Sequence, residues 1–95
     1  MRTIERTDRY KRDYQRETKG RSNAYVRLLD ADLATMLPVL MVDEELAARY
    51  RDHQLTGWSD VRECHIRPDL ILLYRKPPGI LQLVRLGSHS QLELA

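Results

Sequence analysis

The chain of 95 residues holds three histidines, and all lie in its second half, at His53, His65 and His89. Histidine takes up or releases a proton near neutral pH without large retuning. Asp69 is a carboxylate close to His65 that can hold a ring in one tautomer. Arg85 is embedded in the apolar run at 80–86, Ile-Leu-Gln-Leu-Val-Arg-Leu. A guanidinium in such a run needs a carboxylate, a phosphate or open solvent. Two readings follow for Arg85. One is an ion pair with Asp69 or Glu63; the other is a clamp for a phosphodiester, which suits the two-pronged arginine fork. Together these residues describe a proton-transfer site with a cation beside it.

Competing chemistries are weaker. Three histidines and an aspartate can bind zinc, but their spacing matches no compact ligand motif, and one cysteine provides no cysteine pair. No metal or other cofactor is therefore expected. Cys64 is expected to point into an apolar face, where a thiol is inert. No glycine-rich phosphate loop is present.

The elements that must position these residues follow from periodicity. Residues 61–67 and 70–75 read as two strands joined by Pro68-Asp69, a hairpin signal. Lys76-Pro77-Pro78-Gly79 is a second turn, and 80–86 is a third strand. Alternation places Glu63, His65 and Arg67 together on one face, expected to look outward, with Cys64 and Ile66 on the other. His53 falls just before this sheet and His89 just after it. Trp58, in the loop between, reads as a partly buried anchor or as a stacking group, and the anchor is favoured.

Upstream, residues 1–6 suit a short strand. Thr7 or Asp8 can cap a first helix that carries Tyr10 and Tyr14 as a buried stripe and stops at Gly20. Ser22 or Asn23 opens a second helical stretch. Its stripe is Leu28, Leu29, Leu33, Met36, Leu37, Leu40 and Met41. Pro38 is expected to kink or divide that helix near Leu37, because proline lacks an amide proton and clashes with the preceding turn. Residues 43–50 read as a polar turn or short helix. The order is strand, two helices and three antiparallel strands, an α+β arrangement in a single domain over 1–95.

The net charge of +2 conceals an uneven distribution. Residues 1–27 carry nine Lys/Arg against four Asp/Glu, whereas 28–50 carry one against five. A basic first helix is either a solvated surface or an anion-binding face. The lone cysteine fits a reducing compartment, no stretch is apolar enough to cross a membrane, and no signal peptide is expected. A cytoplasmic protein is the expectation.

Three segments carry a resemblance: Arg-Asp-His-Gln-Leu-Thr-Gly at 51–57, Cys-His-Ile-Arg-Pro-Asp-Leu-Ile-Leu-Leu-Tyr-Arg at 64–75, and Leu-Val-Arg-Leu-Gly-Ser-His-Ser-Gln-Leu at 83–92. They resemble the YafQ branch of the RelE/ParE toxin superfamily, specifically over residues 50–92 and by topology alone over 1–49. The resemblance implies a RelE-like fold, with an N-terminal strand and two helices packed on an antiparallel sheet. It also implies a type II toxin that cleaves mRNA on the ribosome and is held by a cognate antitoxin, with no membrane and no DNA contact by the toxin alone. His53, His65, Asp69, Arg85 and His89 match the family's active-site positions. Two positions depart from it. Leu70 stands where some members have tryptophan, and Glu93 lies near the position of a closing aromatic residue.

The chemistry that fits is metal-free transesterification, in which the ribose 2′-hydroxyl attacks the adjacent phosphorus. His89 is expected as general acid, His53 or His65 as base, Asp69 as tautomer anchor and Arg85 as charge stabiliser. Lys11, Arg12, Arg16, Lys19 and Arg67 would contact RNA or ribosome through phosphates. A toxin that binds its antitoxin without cleaving, and a ParE-like gyrase inhibitor, are the alternatives; the histidine set argues against the latter.

Overall fold

The computed structural model describes residues 1–94. The chain runs β1 (Thr3–Arg6), α1 (Asp8–Thr18), α2 (Asn23–Met41), a 3-10 turn at Ala48–Tyr50, β2 (His53–Gln54), β3 (Arg62–Arg67), β4 (Leu70–Arg75) and β5 (Ile80–Gly87). The five strands form one sheet in the order β1-β5-β4-β3-β2. The three long strands are antiparallel as expected, and β1 joins β5 in parallel, so the sheet is mixed. The α+β class is as the sequence predicts. Two details were not foreseen: the parallel edge strand and the two-residue β2, which makes His53 part of the sheet.

Both helices begin at hydroxyl caps. The Thr7 side chain accepts from the Tyr10 amide and that of Ser22 from the Tyr25 amide, each satisfying a donor that the first helical turn leaves unpaired. Gly20 takes φ +72° in the turn between the helices, a conformation that glycine adopts without strain. Pro38 does not divide α2, which continues to Met41; only the last helical turn follows it, so the lost amide bond falls near an end. Leu29, Leu33, Met36, Leu37 and Leu40 of α2 are buried, but Leu28 is exposed. These side chains pack with Tyr10 of α1 and with Cys64, Ile66, Leu70, Leu72, Tyr74, Leu81, Leu83 and Leu86 on one face of the sheet.

The opposite face has a smaller core of Leu55, Val61, Ile71, Leu73 and Leu92. Leu92 reaches it from a helical turn that follows β5, closed by the Leu92 amide donating to the Ser88 carbonyl. Ser88 and Gln91 bond reciprocally, amide to side chain in each direction, as in a capping box. That turn carries His89.

The two irregularities in the sheet matter for the site. A bulge between His65 and Arg67 turns Arg67 towards the helices, where it pairs with Asp32 at 3.0 Å and lies over the Tyr25 ring. The expected shared face of Glu63, His65 and Arg67 is therefore broken after His65. A second register shift lies opposite Leu73 and Tyr74, so that Leu73 pairs with Arg85 and Tyr74 with Leu83. Beyond residue 83, β5 has no strand on its outer side. Helix α1 supplies the missing partners. The Thr7 hydroxyl donates to the Val84 carbonyl, Asp13 accepts from the Leu86 amide and Arg16 donates to the Leu86 carbonyl. An otherwise open edge is thus closed by side chains.

Candidate active site

The site is a row across four strands. His53 on β2 pairs with Glu63 on β3, Glu63 with Leu73 on β4, and Leu73 with Arg85 on β5. Directly opposed residues in antiparallel strands project to the same face. Arg85 and Glu63 lie two strands apart, about 10 Å between backbones at the usual strand spacing. His65 lies one step along β3 on the same face as Glu63, and His89 follows β5.

Glu63 is the hub. It is 4% exposed, and its Oε1 lies 3.1 Å from Nε2 of His65 and 3.1 Å from Nε2 of His89. Its Oε2 lies 3.5 Å from Nε2 of His53. An ionised carboxylate only accepts hydrogen bonds, so Glu63 orients His65 and His89 with Nε2–H towards it. The rings of His65 and His89 lie 5.5 Å apart between centroids.

The three histidines are not equivalent. His65 is buried, with Nε2 on Glu63 and Nδ1 facing the Pro68 carbonyl at 3.4 Å. His53 and His89 are about half exposed. His53 Nδ1 lies 2.7 Å from the Arg51 carbonyl, which fixes the proton at Nδ1 and frees Nε2 to accept. Arg51 itself is left-handed at φ +49°, a turn that aims its carbonyl at the ring. Behind His53, Asp52 accepts from the buried Tyr74 hydroxyl and pairs with Arg62 at 3.2 Å, tying β2 to β3 and β4.

Arg85 meets neither Asp69 nor Glu63. Its Nε and Nη2 bond Asp13 of α1 at 2.7 and 3.2 Å. Asp13 is 4% exposed and also receives the Leu86 amide at 3.0 Å and Arg16 at 2.8 Å. Burial alone would raise its carboxyl. The Arg85 fork, the Leu86 amide and the Arg16 charge outweigh it and hold Asp13 below the ordinary carboxylate range. Arg85 keeps Nη1 free of protein partners among the described residues and stays on the row.

Other expectations shift. Asp69 is exposed in the β3–β4 turn and bonds none of the histidines among the described residues, so the carboxylate that holds the rings is Glu63. Trp58 is 54% exposed, not an anchor. Cys64 is buried, and that burial pushes its thiol up, consistent with an inert side chain. Lys11, Arg12 and Lys19 face solvent, whereas Arg16 and Arg67 are engaged by Asp13 and Asp32. Glu63 and Asp13 are the residues that sequence reasoning missed as site components. The alternation of Glu63 with His65 was a usable signal, but nothing local marks Asp13.

The donor atoms of Glu63, His65 and His89 all lie within 4.8 Å of one another. One carboxylate oxygen and two imidazole nitrogens suit copper(II) or zinc, so this donor set fits a first-row ion.

The family described as "Bacterial toxin of type II toxin-antitoxin system, YafQ" matches residues 2–94. The chain belongs to the YafQ family. Over 92 residues it is 33% identical to the mRNA interferase toxin YafQ of Escherichia coli, an alignment covering 94% of this chain and 97% of that protein. The YafQ-type fold recurs in the crystal structure of the E. coli DinJ–YafQ complex, with a TM-score of 0.78 at 28% identity, covering 97% of this chain and 98% of the other. A copper-bound mutant toxin from Helicobacter pylori superposes with a TM-score of 0.83 at 33% identity, covering 97% and 99%.

Proposed function

We propose that this YafQ-family chain is the toxin of a type II pair and an endoribonuclease that cleaves mRNA on the ribosome by acid–base transesterification. The observation that carries the reading is the row itself: two half-exposed histidines on one buried carboxylate, in line with an arginine two strands away. The names of the curated relatives supply mRNA as substrate class.

His53 Nε2 takes the proton of the ribose 2′-hydroxyl, whose oxygen then attacks the adjacent phosphorus. Its Nδ1 proton stays on the Arg51 carbonyl, and Glu63 Oε2 balances the charge that arises on the ring. His89 acts in its doubly protonated form: Nε2–H stays on Glu63 and the Nδ1 proton goes to the departing 5′-oxygen, leaving a neutral ring, a 2′,3′-cyclic phosphate and a free 5′-hydroxyl. Arg85, locked by Asp13, meets the negative charge growing on the phosphoryl oxygens. His65, buried and held through Nε2–H on Glu63, keeps Glu63 in place rather than exchanging protons. Asp69 is exposed in the β3–β4 turn and suits a contact with the RNA strand more than a tautomer anchor. Lys11, Arg12 and Lys19 form the ribosome-facing phosphate contacts. An antitoxin partner is expected because the E. coli relative is seen bound to DinJ.

The test is cleavage of ribosome-bound message. His53→Ala and His89→Ala should each slow it by about 10² to 10⁴-fold, the range for one acid–base group. Full activity in both variants would overturn the reading.

A second reading rests on the donor cluster and on relatives from H. pylori described as copper-bound and metal-bound. Glu63, His65 and His89 would hold the ion, which when bound supplies Lewis-acid chemistry. It would occupy the nitrogens that the first reading needs as donors. Toxin stripped with chelator and returned to ribosomes in magnesium buffer separates the two. Retained cleavage that falls on adding copper supports acid–base catalysis, and cleavage restored by copper supports the metal.

A further inference from the structure

A cavity of about 380 Å³ lies beside His65, and Glu63, His53 and His89 are not among its lining residues. Its walls include Arg49, Tyr50, Arg51 and Arg67, with His65 shared between the two spaces. Asp32 is the one carboxylate among the lining residues, against three guanidinium groups. The cavity is therefore cationic, and its size lies within the range of small-ligand sites.

The arginines are set for different tasks. Arg67 is neutralised by Asp32 at 3.0 Å and backed by the Tyr25 ring. The Arg49 guanidinium carbon lies 4.7 Å from the Tyr50 ring centroid, and its Nη2 donates to the Tyr50 hydroxyl at 2.8 Å. A guanidinium braced in this way keeps its place at the cavity wall, and single-stranded bases stack readily on guanidinium planes. Arg51 is exposed and has no ion pair or side-chain hydrogen bond among the described residues. Its left-handed backbone links the two spaces, because the residue that lines the cavity wall also gives its carbonyl to His53.

We infer that this cavity is the subsite for the nucleotide next to the scissile phosphate, with Arg51 binding that nucleotide's phosphate and Arg49 stacking on its base. The inference rests on the ribonuclease reading and adds a specificity element to it. It also gives the chain a stacking surface made of guanidinium, where Leu70 and Glu93 replace rings. An incoming strand would then run from the cavity past His65 onto the histidine–arginine row.

The test uses an uncleavable 2′-O-methyl tetranucleotide and the folded toxin, followed by amide chemical shifts. Saturable shifts are expected at Tyr50, Ile66 and Arg67. The double variant Arg49→Ala, Arg51→Asn should weaken binding about tenfold or more, as expected for losing one stacked base and a phosphate contact. Asparagine tolerates the left-handed backbone, so the turn to His53 is kept. On ribosome-bound message the same variant should raise KM about tenfold with a smaller fall in kcat. Shifts confined to the Glu63 cluster, or unchanged binding by the variant, would overturn the subsite. So would loss of antitoxin binding alone, which would mark the cavity as a protein interface. Wild type that binds the tetranucleotide in the cavity but cleaves no message keeps an RNA site and overturns the ribonuclease reading instead.

Discussion

Two buried carboxylates, Asp13 and Glu63, are equally withdrawn from solvent at 4% exposure, yet they have opposite partners. Asp13 is met by Arg85, Arg16 and a backbone amide. Arginine keeps its charge at every pH a protein survives, so this is a permanent ion pair that braces α1 against β5. Among the described residues, Glu63 is met only by imidazoles. Histidine is the side chain whose charge changes most readily near neutrality, so the Glu63 cluster can pass protons where the Asp13 cluster cannot. In the mechanism proposed above, one carboxylate serves architecture and the other serves chemistry. The counter-charge, rather than burial, separates them.

The contrast can be broken from either end. Asp13→Ala leaves Arg85 without its partner and the Leu86 amide unsatisfied. It should destabilise the fold by about 3 kcal/mol, the lower end for a broken buried pair because Arg85 keeps some solvent contact; urea unfolding reads it. Glu63→Gln keeps the shape but removes the charge. It should lower cleavage roughly 100-fold, the low end for a positioned acid–base group, while stability changes by only about 1 kcal/mol. A large stability loss with normal cleavage would erase the distinction.

Acid sharpens it further. The folded value of Asp13 lies below its unfolded one, so its stabilisation is complete above the unfolded carboxylate value near 4 and drains as pH falls through the folded value. Thermal unfolding between about pH 6 and pH 2 should show a flatter acid limb in Asp13→Asn than in wild type. The smallest effect is Thr7→Ala, which removes a helix cap worth about 1 kcal/mol and the bond to Val84, with cleavage unaltered.

Much of this was legible in the chain. The hairpin around Pro68-Asp69, the β5 run, the Thr7 and Ser22 caps and the α2 stripe follow from local pattern. The partner of Arg85 was not legible, because Asp13 lies 72 positions away and only tertiary packing brings it near. The side taken by Arg67 depends on a bulge that strict alternation ignores. The choice of Glu63 over Asp69 as ring holder had the same origin. Closeness in sequence suggested Asp69, while strand register puts Glu63 opposite His53 and beside His65. The short β2 escaped notice because a two-residue strand has no period to read.

The row spread over four strands has a consequence in time. His53, Glu63, Leu73 and Arg85 align only when β2 to β5 are paired in register, and His89 arrives after the last of those strands. A chain still being synthesised holds fragments of the site and never a working set. An mRNA-cutting toxin of this design would stay harmless to the ribosome translating it until nearly the whole sheet has emerged. An antitoxin of the kind proposed above would then have a window, between emergence and assembly, in which to bind first.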